Sequence, residues 1–89
     1  METMRLDKFL KVSRIIKRRT LAKEVADQGR VFVNGQQAKA STNVKAGDEL
    51  TIRLGQKIIK VRVESLQEST RKEDAASLYS VLSEEKIEE

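Results

Sequence analysis

Apolar positions in the N-terminal third recur with a helical period. Leu6, Phe9, Leu10 and Ser13 fall at i, i+3, i+4 and i+7, and this narrow stripe predicts a helix over Arg5 to about Ser13, with Thr3 as its N-cap. Leu21, Ala22, Val25 and Ala26 repeat the pattern and predict a second helix over Leu21 to about Gln28. Thr20 is its expected N-cap, and Gly29 stands where a residue with positive φ ends a helix. Small alanines on the second stripe let the two helices approach closely. Between them lies Ser13-Arg14-Ile15-Ile16-Lys17-Arg18-Arg19, in which the two isoleucines anchor a cationic connection.

The period then changes from 3.6 to 2. Val31-Phe32-Val33 predicts a short strand, and Asn34-Gly35 is a strong two-residue hairpin signal because both residue types accept positive φ. Gln36 to Lys39 is the returning strand, Ala40 to Asn43 a loop, Val44 a core contact and Ala46-Gly47-Asp48 a turn. Glu49 to Leu54 places Leu50, Ile52 and Leu54 on one face. Gly55-Gln56 fits a type II′ turn, and Lys57 to Val63 returns with Ile59, Val61 and Val63 on the same side. Glu64 to Thr70 reads as a polar link. Lys72 to about Glu85 reads as a third helix, with Ala75, Ala76, Leu78, Tyr79 and Leu82 as its apolar side, fraying among its terminal glutamates. The predicted fold class is α+β: two N-terminal helices on a small, bent, antiparallel sheet, with a C-terminal helix. One domain spans residues 4–63, and residues 64–89 form a linker and an acidic helix.

Charge sharpens this picture. The net charge of +4 conceals a divided chain. Residues 5–62 carry 15 Lys/Arg against 5 Asp/Glu, whereas residues 63–89 carry 3 against 8. A basic body suits a polyanion, since clustered cations release counterions from phosphates. The chain has no histidine and no cysteine, which removes the commonest general base, the commonest metal ligand and any thiolate site. No cofactor, no metal and no enzymatic activity are expected. No stretch approaches the roughly 20 apolar residues of a membrane span, and the N-terminus lacks a signal-peptide apolar run, so a cytoplasmic protein is expected.

Arg14, Lys17, Arg18 and Arg19 are the first candidates for RNA contact. Their planar forks and ammonium group match phosphate oxygens, and cations at a helix N-terminus oppose its dipole, a local cost that points to function. Arg5, Lys8 and Lys11 extend the surface, and Arg30 adds to the positive field. Asp7 has two readings: a brace that holds Arg14 or a neighbour, or compensation of the helix dipole. Phe9 and Phe32 read as core residues.

Arg5-Leu6-Asp7-x-x-Leu10, Ser13-Arg14, the helix ending at Gly29, Val31-x-Val33-Asn34-Gly35 and Val44-x-x-Gly47-Asp48 occur in one order over fifty residues. Together they resemble the small RNA-binding domain of ribosomal small-subunit protein number four, the α-L motif. That resemblance implies two helices on a bent sheet, with RNA contacts from the helices and their connection. Leu6-Asp7-Lys8-Phe9-Leu10-Lys11-Val12-Ser13-Arg14 with Gln37-Ala38-Lys39-Ala40-Ser41 resembles more narrowly the RqcP family of ribosome-associated quality-control factors, related to the fifteen-kilodalton heat-shock proteins. The narrower resemblance implies binding of a large ribosomal subunit that carries peptidyl-tRNA, with contacts to large-subunit rRNA and P-site tRNA. It also implies support of template-free alanine tailing by an RqcH-type elongation partner. The chain is expected to act as a monomer. Two other classes fit these residues less well. An RNA-targeting module of a modifying enzyme would need a second domain or a catalytic constellation. A DNA-reading helix-turn-helix would have to read a groove with Lys23, Glu24, Asp27 and Gln28, an acidic face for that task.

Overall fold

A computed structural model describes residues 2–67 and 74–86. Its elements are β1 (Met4–Arg5), α1 (Leu6–Val12), α2 (Arg19–Asp27), β2 (Val31–Val33), β3 (Gln36–Gln37), β4 (Asn43–Val44), β5 (Glu49–Leu54), β6 (Lys57–Val63), a 3-10 helix (Ala75–Leu78) and β7 (Tyr79–Lys86). The main sheet has the order β3-β2-β5-β6-β7, antiparallel throughout, and β1 pairs with β4 in a separate two-stranded ladder.

Alternation along the strands decides which face is covered. Val31 opposes Ile52, Val33 opposes Leu50, and Leu50 opposes Val61, so one face is aliphatic. That face packs with Leu6, Phe9 and Leu10 of α1 and Ala22, Val25 and Ala26 of α2 in one core. Phe9, Leu6, Leu10, Leu50 and Ile52 are fully enclosed, and each contributes roughly 1.5–3 kcal/mol by leaving water. The two helices and the first hairpins therefore stand as the apolar periods predict.

The turns behave as their residues require. Asn34 at φ 52° and Gly35 at φ 84° make the two-positive turn between β2 and β3. Asp48, buried behind it, accepts bonds from Asn34 Nδ2 at 3.1 Å and from the Lys45 N–H at 3.0 Å. Asn34 Oδ1 in turn accepts the Glu49 N–H at 3.0 Å. One turn residue thus locks two loops together.

Several expectations are corrected. Arg5, extended at φ −61° and ψ 142°, is the N-cap of α1, and Thr3 does not cap it. The helix start is satisfied instead by neighbouring chain: Leu6 N–H donates to Thr42 O at 2.7 Å and Asp7 N–H to Ala40 O at 3.2 Å. The same close approach creates the β1–β4 ladder, unforeseen because two-residue strands carry no period. Helix α2 begins at Arg19 with Arg18 as N-cap, so Thr20 lies inside it. Leu21 is exposed rather than core, because the buried stripe narrows to Ala22, Val25 and Ala26.

The largest correction concerns the C-terminus. Residues 79–86 form a strand, not a helix; the helical part of the described segment is the 3-10 turn Ala75–Leu78. Tyr79 and Val81 favour an extended chain, and β6 offers an edge to pair with. The charges agree as well. Acidic β7 lies along basic β6, with Lys57 Nζ 2.8 Å from Glu84 Oε1. That hydrogen bond and the Glu84 charge push the Lys57 ammonium above its ordinary 10.5. Residues 68–73, which hold the end of the predicted link and the start of the predicted helix, lie outside the described residues.

Candidate nucleic-acid interface

Helix α1 ends in an arginine where a glycine is preferred. Ser13 closes the helix and donates its N–H to Phe9 O at 2.9 Å. Arg14 then takes φ 62°, a left-handed turn that costs a side-chain-bearing residue about 1–2 kcal/mol. The turn sends Arg14 N–H to Lys11 O and Ile16 N–H to Leu10 O, each at 3.0 Å. Ile16 is buried and Ile15 packs against the core, so the connection is pinned from below. Its cations consequently face outward: Lys11, Arg14, Lys17, Arg18 and Arg19 are all exposed.

Asp7 lies beneath this surface and is 2% exposed. Its Oδ1 accepts the Lys8 N–H at 2.8 Å and faces Arg5 Nε at 3.3 Å. Its Oδ2 faces Arg19 Nε at 3.5 Å. Both guanidinium groups remain about half exposed, so each keeps donors free for a ligand while one edge is held by the carboxylate. The bracing reading of Asp7 therefore applies to Arg5 and Arg19, not to Arg14. Dipole compensation holds alongside it, since Asp7 occupies the first turn of α1.

Of the candidate residues, the fold brings Arg5, Asp7 and Arg19 into direct contact and sets Lys11, Arg14, Lys17 and Arg18 along the adjoining connection. Lys8 is half-buried on α1. Arg30 is separated from them. It follows α2, and its carbonyl accepts the Arg53 N–H at 2.9 Å, which places it beside β5 on the sheet. Among the described residues, no group of three or more acidic, histidine or cysteine side chains is placed to hold a metal. No helix among them is long and apolar enough to cross a membrane.

The sequence that builds this geometry matches a known family model, that of the S4 domain, over residues 4–50. The chain belongs to the S4 domain family. Within it, the chain is 67% identical over 86 residues to the RQC P-site tRNA stabilizing factor of Bacillus subtilis (strain 168), covering 97% of this chain and 100% of that protein. It is 40% identical over 77 residues to Heat shock protein 15 of Escherichia coli (strain K12), covering 85% of this chain and 58% of that protein. A trimeric structure of Vibrio cholerae Heat Shock Protein 15 superimposes with a TM-score of 0.83 at 36% identity, covering 90% of this chain and 82% of that one. The resemblance read from Arg5 to Asp48 therefore holds, both for the S4 domain as a whole and for its quality-control and heat-shock relatives. The S4 match ends at Leu50, so β6 and β7 lie beyond it; the structural likeness extends further.

Two features of the site escape a reading of the sequence. The left-handed backbone of Arg14 carries no sequence signal, since arginine rarely adopts it. The exposure of Leu21, three residues after Arg18, was hidden by its good fit to a helical stripe.

Proposed function

We propose that this chain is a non-enzymatic RNA-binding factor of ribosome-associated quality control. It binds the large ribosomal subunit carrying peptidyl-tRNA and contacts large-subunit rRNA and P-site tRNA with the surface formed by α1, α2 and their connection. There it supports template-free C-terminal alanine tailing by an RqcH-type partner, in the cytoplasm and as a single copy. The observation that carries this reading is the buried Asp7 holding two half-exposed arginines from separate elements next to a run of outward-facing cations. Such pre-oriented forks grip the backbone of structured RNA by shape, without reading bases. The names borne by its relatives support the same role.

Co-sedimentation of the tagged chain with large subunits, followed by sequencing of co-purified tRNA, tests the proposal. Lys17→Glu with Arg18→Glu leaves the Asp7 bridges intact and is expected to abolish co-migration. For about five neutralised phosphates, the log-log salt slope of binding falls between about −3.5 and −4.5. A slope near zero, or normal co-migration of the folded double variant, rejects it. A new modification on rRNA or tRNA after incubation with the chain rejects the non-enzymatic reading.

The likeness to Heat shock protein 15 in sequence and structure favours a second reading, recycling of large subunits blocked by a nascent chain. Alanine tails that persist in cells lacking this protein favour recycling over tailing support.

A further inference from the structure

The face of the sheet turned away from the helices has a composition of its own. Since Val31, Leu50, Ile52, Val61 and Val63 point into the core, their neighbours in each strand point out. Across the middle of this face run Phe32, Thr51 and Lys60 in register, with Gln37 flanking Phe32 on β3. The adjacent row holds Arg53 opposite Ile58, and the Arg53 N–H bond to Arg30 O extends it to Arg30. The row on the other side pairs Glu49 with Arg62. Phe32, Thr51 and Ile58 are half-buried, whereas Arg30, Arg53, Lys60 and Arg62 are exposed.

None of these four cations makes an ion pair among the described residues. The acidic residues nearest them are Glu49, opposite Arg62, Glu85, opposite Ile58, and Glu64, two residues after Arg62. An antiparallel sheet can leave one polar face to water, and on this one the cations outnumber the acidic residues around a central aromatic ring. Here an accessible ring lies between an amide and a hydroxyl, with guanidinium groups in the rows on either side.

We propose that this outer sheet face is a second RNA surface, one that takes unpaired nucleotides by stacking a base on Phe32 while Arg30, Arg53, Lys60 and Arg62 hold the phosphates. It rests on the RNA-binding reading above and adds to the helix face a contact of different chemistry. Charge alone would suit any polyanion. Phe32 favours RNA, because a base can stack on its ring while the Thr51 hydroxyl bonds the base edge; Gln37 Nε2 donates to Gly29 O at 3.2 Å, so Gln37 would offer its amide oxygen. Stacking on an open sheet demands a splayed, single-stranded segment, since paired bases expose no face. The domain would then hold two RNA segments at once, a structured one on the helices and an unpaired one on the sheet.

The probe is a ten-nucleotide single-stranded RNA carrying one 2-aminopurine, titrated with the full chain. Wild type is expected to quench the fluorophore on binding. Phe32→Leu keeps an apolar side chain there and is expected to bind about tenfold more weakly and to leave the fluorophore bright. Arg53→Gln with Arg62→Gln removes two surface charges and is expected to make the salt slope shallower by about 1.4. Both variants are expected to retain large-subunit binding through Lys17 and Arg18, which separates failure of this proposal from failure of the first. Unchanged oligonucleotide binding in both variants overturns it, as does tighter binding of an aspartate-rich peptide lost in the same variants. Should Phe32→Leu not fold by circular dichroism, the double variant decides alone, and an unchanged slope overturns the proposal.

Discussion

Arg19 Nε stands 3.5 Å from Asp7 Oδ2, although the two residues belong to different helices. The contact orients a ligand-facing guanidinium from below and ties the start of α2 to the start of α1. Asp7→Asn keeps the shape and the acceptor for the Lys8 N–H but removes the charge. Two arginines then lose their brace while keeping their own charge. RNA affinity is expected to fall about fivefold, with a stability loss of about 1 kcal/mol, because hydrogen bonds to charged groups are worth more than neutral ones. Affinity equal to wild type would leave Asp7 as a dipole partner only.

Arg14 carries a backbone cost that a glycine would not. Replacing it with Gly removes left-handed strain of about 1–2 kcal/mol and adds unfolded-chain entropy worth about 0.4–1 kcal/mol. Arg14→Gly is therefore expected to be slightly more stable in urea titrations than wild type. It is also expected to bind large subunits more weakly, with a salt slope shallower by about 0.7–0.9. A variant that gains stability and loses binding would show that the strained turn is retained for its side chain. Loss of both would mean that the turn needs the arginine for its own structure.

Asn34 and Asp48 offer the opposite case, a polar pair with a structural role only. Their side chains meet at 3.1 Å and Asp48 is 6% exposed. Asp48→Ala strands the Lys45 N–H and frees the Asn34 amide, at an expected cost of about 2 kcal/mol. The folded variant is expected to bind RNA as wild type does, because the pair lies at the turns between strands, apart from the cations of the helix connection. Chemical unfolding together with binding on the folded variant checks both halves.

What the chain revealed in advance follows from how locally each feature is determined. Asn34-Gly35 forces its turn whatever surrounds it, and the 2-residue period of Leu50, Ile52 and Leu54 admits one buried face. Those elements were legible. The cationic connection was legible too, because Ile15 and Ile16 interrupt the basic run and orient it. Asp7's partner on the second helix was not, since Arg19 reaches it only after both helices dock. Nor were the starts of the helices: the first N–H groups of α1 go to Thr42 O and Ala40 O rather than to Thr3, and α2 begins at Arg19, one residue before Thr20. At the C-terminus two periods coexist. Ala75, Leu78, Tyr79 and Leu82 satisfy a helix, yet the edge of β6 supplies hydrogen bonds and opposite charge that a helix would forgo.

That ambiguity yields a decisive pair of substitutions. A helix over residues 72–85 would bury Leu78 and Leu82 together, four residues apart on one face. In the strand arrangement Leu78 is fully enclosed at the end of its 3-10 turn, whereas Leu82 is 38% exposed at the irregularity where β7 shifts register against β6. Leu78 is also held by its carbonyl, which accepts the Glu64 N–H at 2.8 Å. Leu78→Ala is expected to cost about 3 kcal/mol, through lost burial and the cavity left behind. Leu82→Ala is expected to cost well under 1 kcal/mol, because half-solvated surface positions tolerate truncation. Urea denaturation of the two variants side by side checks this: unequal losses of that size support the strand, and equal losses would return the segment to a helix.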